Sequence, residues 1–102
     1  MSSMSILFIL LKAPHEYHSL DTMAALGGDD KIGALLLEDA TLFAVFKDKK
    51  DEIVDAADEV FVMGDDLQAR GFRLRPEDGF QEIDYPRAVD LIMQEYDKTI
   101  TL

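Results

Sequence analysis

Two unbroken apolar runs organise the chain. Ile6 to Leu11 is apolar throughout, and from Ile32 to Leu37 only Gly33 interrupts the aliphatic residues. Short runs without alternation, bounded by turn residues, predict strands buried on both faces, as in a parallel sheet. Glu59 to Met63 (EVFVM) predicts a third strand and Phe80 to Ile83 a fourth. The alternation over Lys98 to Leu102 predicts a half-exposed fifth. Between the strands the spacing turns helical. Tyr17, Leu20, Met23 and Ala24 form one stripe of a helix over Glu16 to Leu26, which Gly27 and Gly28 end. After the second strand, Asp39 is placed to cap a helix that opens at Ala40 and runs to Phe46 with almost no polar face.

Lys47 to Lys50 reads as a charged break, and Asp51 to Ala57 as a short helix with Ile53, Val54 and Ala57 on one side. Gly64 bends the chain after the third strand, Asp65 can cap, and Asp66 to Arg70 forms a short helix that Gly71 ends. Arg73 to Gly79, with Pro76, is a loop. Asp84 and Tyr85 lead to Pro86 in the first turn of a last helix, lined by Val89, Ile92, Met93 and Tyr96. Strands alternating with helices predict an α/β architecture. It is a three-layer, mostly parallel five-stranded sheet with helices on both faces and right-handed crossovers.

Composition narrows the function. A chain of 102 residues is expected to form a single domain over residues 1–102. Its net charge of −11 argues against direct contact with nucleic acid or an anionic membrane, both of which reward clustered Lys and Arg. There is no cysteine, so the chain carries no disulfide, no thiolate metal site and no persulfide of its own. The opening MSSMSILFILL is too short in its apolar run to span a membrane and lacks a positive leader, so a cytoplasmic location is expected.

In open α/β sheets the functional crevice lies beyond the carboxyl ends of the strands. Three such ends are Pro14 to His18, Glu38-Asp39, and Met63 to Asp66. His15 and His18, with Glu16 or Asp21, make a partial ligand set, but no further histidine and no cysteine completes a zinc site. A solvated, polar helix start accounts for them. Glu38 and Asp39 are adjacent and so do not face each other on a helix, and a cap plus one exposed charge accounts for that pair. Asp65 and Asp66 read the same way. No glycine-rich phosphate loop follows a strand, and no serine or histidine stands in a triad-like setting. No catalytic residue, cofactor or resident metal is therefore expected. The apolar segment after Asp39 is either covered by residues 51–57 and the sheet, or it carries Leu42, Phe43 and Phe46 into an oligomer interface, where aromatic residues are enriched.

Three stretches carry a resemblance. LLLEDATLFAV (Leu35 to Val45) supplies a strand, an Asp and an apolar helix. VFVMGDDLQARGF (Val60 to Phe72) supplies a strand, an acidic turn and an Asp-Leu-x-Ala-Arg-Gly helix. IDYPRAVDLIMQEYDKTITL (Ile83 to Leu102) supplies the closing strand, Asp-Tyr, last helix and terminal strand. Together they resemble the DsrH/TusB family of sulfur-relay proteins, within the DsrE/DsrF/DsrH superfamily. ILFILLKAPHEYHSL fits the family's turn after the first strand more loosely, and Ala40 stands where a glycine is usual.

The resemblance implies a structural subunit that assembles with DsrE/TusD-like and DsrF/TusC-like subunits. Such complexes pass persulfide sulfur between cysteines, toward 2-thiolation of the tRNA wobble uridine or within dissimilatory sulfur metabolism. DsrE-like subunits keep their carrier cysteine after the third strand, where this chain has Met63, Gly64, Asp65 and Asp66. His15, His18, Asp39, Asp65 and Asp66 are then candidates for shaping a partner's carrier site. The alternative is a stand-alone homo-oligomeric domain that binds a small ligand, and a third reading is a metal-dependent hydrolase built on His15 and His18.

Overall fold

A computed structural model describes residues 4–17 and 20–102. Five strands form one sheet: β1 (Ser5–Leu10), β2 (Lys31–Leu36), β3 (Glu59–Met63), β4 (Gln81–Ile83) and β5 (Lys98–Thr101). Their order is β4-β3-β2-β1-β5, and every pairing is parallel. The apolar runs sit at its centre, β1 and β2 pairing from Ser5 with Lys31 to Leu10 with Leu36. A central parallel strand is covered on both faces, which is why neither run alternates.

One face is thickly covered. Ile6, Phe8, Leu10, Ile32, Ala34, Leu36, Val60 and Val62 project to this side. They pack under α1 (Asp21–Gly27), a 3₁₀ segment over Glu38–Ala44, α2 (Lys47–Ala56) and α3 (Gly64–Ala69). The opposite face presents Leu7, Leu35, Phe61, Met63 and Ile83 to a single cover. That cover is α4 (Tyr85–Asp90) continued by a π-helical turn over Leu91–Glu95, through Ala88, Leu91 and Tyr96. Gly33 belongs to this side. A Cβ there would lie 2.3 Å from the Tyr96 hydroxyl oxygen, so only glycine admits the ring.

Four expectations need correction. The first helix begins at Asp21, not Glu16, because Pro14–Glu16 closes a 3₁₀ turn in which the Glu16 carboxylate accepts the Ala13 N–H at 2.9 Å. Tyr17 lies between them in extended conformation. Its hydroxyl accepts the N–H groups of Leu11 and Lys12, each at 3.2 Å. Lys47 to Lys50 is no break but the first turn of α2. The segment after β2 is 3₁₀ from Glu38 rather than α from Ala40, and Asp39 does not cap it. In the last helix the buried side is Ala88, Leu91 and Tyr96, while Val89 and Met93 stand 56% and 74% exposed. The π turn explains the shift: the Tyr96 N–H donates to the Leu91 carbonyl, five residues back, and rotates the face.

Candidate functional site

Four loops meet at the carboxyl ends of the strands. The Pro14–Glu16 turn packs on the Glu38–Ala44 segment, which packs in turn on α3. At the centre is Asp66. One carboxylate oxygen accepts the Glu38 N–H at 2.8 Å, and the other accepts the Tyr85 hydroxyl at 2.8 Å. The side chain thus ties the thick layer to the first residue of α4 on the other face. The sequence marks Tyr85 as part of the Asp-Tyr that leads into Pro86, without a role at the site. Its hydrogen bond to the Asp66 carboxylate holds the phenol above its ordinary pKa, because ionisation would set two anions side by side.

Arg70 completes the corner. Its Nε donates to Asp39 Oδ1 at 2.8 Å and its Nη1 to the Asp66 backbone carbonyl at 2.9 Å. Asp39 is therefore the partner of a guanidinium and not a helix cap. Asp39 and Arg70 stand 31 residues apart, so local spacing carries no signal for this pair. Asp65 does not cap either. It stands exposed in the first turn of α3, beside a cleft of about 420 Å³ that Glu82, Asp84 and Arg87 also line. The Asp84 side chain instead caps α4, accepting the Arg87 N–H at 3.0 Å.

Glu38 has a φ of 50°, the left-handed region that an L residue enters at a cost of about 1–2 kcal/mol. The structure holds it there from both sides. Asp66 takes its N–H, and its carbonyl accepts the hydroxyl of the fully buried Thr41 at 2.7 Å.

His15 is exposed on its 3₁₀ turn, and His18 lies outside the described residues. Among the described residues no three of His, Cys, Asp and Glu gather as a metal site requires. The three proposed interface residues separate. Phe43 is fully buried in the core against Tyr17, so it is unavailable to a partner; Leu42 is half-buried and Phe46 is 50% exposed. Leu42 and Phe43, adjacent in the 3₁₀ segment, point in widely different directions, and Phe46 lies beyond its end in the extended backbone before α2, so one apolar run serves core and surface together.

A family model described as DsrH like protein matches residues 12–98. The chain belongs to the DsrH-like family. Members of this family are generally non-catalytic subunits of sulfur-relay complexes. No curated protein sequence matches this DsrH-like chain. Among solved structures, the crystal structure of ychN protein from E. coli is similar, with a TM-score of 0.75 and 14% identity over 97% of this chain and 99% of that one. At that identity the likeness bears on the fold, the α/β sheet described above.

Proposed function

We propose that this DsrH-like chain is a non-catalytic, cytoplasmic structural subunit that holds another subunit's persulfide cysteine in place. One observation carries the reading. The chain has a sulfur-relay family's fold and no cysteine anywhere, so relayed sulfur must reside on a partner. The turn after β3 supports it. Where a DsrE-like subunit would carry its thiol, this chain places Asp65 and Asp66, the latter engaged with Glu38 and Tyr85.

The partners on this reading are DsrE/TusD-like and DsrF/TusC-like subunits. The sulfur goes to the tRNA wobble uridine or to dissimilatory sulfur metabolism, without direct contact between this chain and nucleic acid. Leu42 and Phe46 form part of the contact. His15, His18, Asp39, Asp65 and Asp66 shape its polar border.

The test is purification of the tagged full chain from its native cell, followed by labelling with a persulfide-specific reagent. The expected result is a stoichiometric complex whose label falls on a partner's cysteine. A chain recovered alone, or as a homo-oligomer without cysteine-bearing companions, overturns the reading and favours a self-associating ligand-binding domain.

A further inference from the structure

The chain has 21 carboxylates and only ten lysines and arginines, so its cations have an excess of possible partners. Five form ion pairs: Lys31, Lys49, Lys50, Arg70 and Arg87. Of the five without an ion pair among the described residues, Lys47, Arg73 and Arg75 line one open cleft of about 430 Å³. Lys50 joins them. The single carboxylate in the lining is Asp78, already bound to Lys50 at 2.9 Å. Phe72, 38% exposed, and Val45 supply an apolar wall.

The helix beside this cleft breaks a local rule. Lys47, Lys49 and Lys50 occupy three of the first four positions of α2, at the positive pole of the helix, and Phe46 at its N-cap offers no side-chain bond. Cations there are opposed by the helix dipole. Lys49 is offset by Glu52 and Lys50 by Asp78, but Lys47 has no ion pair among the described residues to compensate its position. Local rules broken without a compensating contact are a feature of functional surfaces.

We infer that this cleft docks an acidic polypeptide segment of a partner, with carboxylates on Lys47, Arg73 and Arg75 and an apolar side chain against Phe72 and Val45. The mixture of cations with exposed aromatic and aliphatic surface decides for a peptide. A nucleic acid would need a longer cationic track and would be repelled by the rest of a chain at −11. The inference rests on the proposed function only in that a partner exists; Phe46, exposed at the start of α2, joins the two surfaces.

The probe is a fluorescein-labelled peptide alternating Glu with Phe and Leu, titrated with the full-length chain and followed by anisotropy. Saturable binding that weakens with added salt is expected. The Arg73→Glu/Arg75→Glu variant should lose about tenfold in affinity or more, whereas Lys98→Glu, a cation on β5, should bind as the wild type does. Lys47→Glu should also weaken binding while raising the thermal midpoint, because it corrects the helix dipole. That divergence excludes a mere loss of fold.

Absence of binding, equal losses for Lys98→Glu and the cleft variants, or tighter binding of a uridine decamer overturns the inference. So does self-association of the chain that Arg73→Glu/Arg75→Glu abolishes, since the occupant is then a second copy. The same variants, tagged in the native cell, separate the two readings. Loss of peptide binding with full retention of the relay partners defeats this inference and leaves the proposed function standing. A wild-type chain that binds the peptide but recovers no relay partner does the reverse.

Discussion

The two faces of the sheet are built on different terms. The thick face is covered by α1, α2, α3 and the 3₁₀ segment over a broad apolar interior, with polar ties such as Arg70 to Asp39 at its rim. The thin face has one helical cover, and that cover is fastened at its edges by polar groups. At the amino ends of the strands the Tyr96 hydroxyl donates to Glu59 at 2.7 Å, and Lys31 bridges the same carboxylate at 2.7 Å. Arg87 pairs with Glu95 along the helix, and Tyr85 binds Asp66 at the other end. Apolar packing from several elements depends on filled volume; a lone helix held by polar clasps depends on each clasp. The thin face therefore answers to pH and to single-atom crowding, and the thick face to lost volume.

The largest effect is expected on the thick face. Phe43→Ala should cost about 3–5 kcal/mol, since a fully buried ring leaves a cavity among elements that cannot all collapse into it. Phe46→Ala, three residues on and half exposed, should change stability by less than about 1 kcal/mol. Urea denaturation of the two variants decides it, and similar losses would show that the residues share one environment. On the thin face, Gly33→Ala should cost about 1–3 kcal/mol, because the new methyl group must displace the Tyr96 ring and with it the bond to Glu59. The paired variant Gly33→Ala/Tyr96→Phe should recover part of that loss.

The Tyr96 clasp also predicts how the thin face responds to pH. Hydrogen bonding to Lys31, and then to Tyr96, holds the Glu59 carboxyl below its ordinary value, so its contribution is present above the usual carboxylate range and is lost as pH falls through the lowered value. Burial, and then the bond to Glu59, raises the Tyr96 phenol above its ordinary 10.0. That contribution is complete below about pH 10 and declines as pH rises further, because only the unfolded chain ionises readily. Stability curves of wild type and Glu59→Gln should diverge at neutral pH and converge in acid. Parallel curves would mean that the clasp does not hold the face.

The sequence made the sheet legible because burial writes a simple pattern. The β3 span Glu59–Met63 was read without error, and the two central runs to within a residue at each end. It did not reveal the face presented by α4, because the π turn shifts the register without any residue that announces it. The site was half legible. Asp39, Asp65 and Asp66 stood out as acids, but the groups that answer Asp66 lie 28 and 19 residues away, and local spacing carries no information at that range. The basic cleft was hidden for the same reason. One half of it read as a charged break and the other as a loop, and only the fold sets Lys50 against Asp78.

The smallest effect tests what joins the two faces. Glu38 keeps its left-handed backbone because Asp66 accepts its N–H and Thr41 donates to its carbonyl. Glu38→Gly removes the steric cost but admits greater freedom to the unfolded chain, so a gain of up to about 1 kcal/mol is expected. The gain should persist in an Asp66→Ala background if the strain resides in the backbone alone. If Asp66 is what imposes the bend, Asp66→Ala removes the acceptor of the Glu38 N–H and lets Glu38 relax, and Glu38→Gly then gains nothing further. A double-mutant cycle in urea separates these cases, and the second is expected, since Asp66 binds Glu38 on one side of the sheet and Tyr85 on the other.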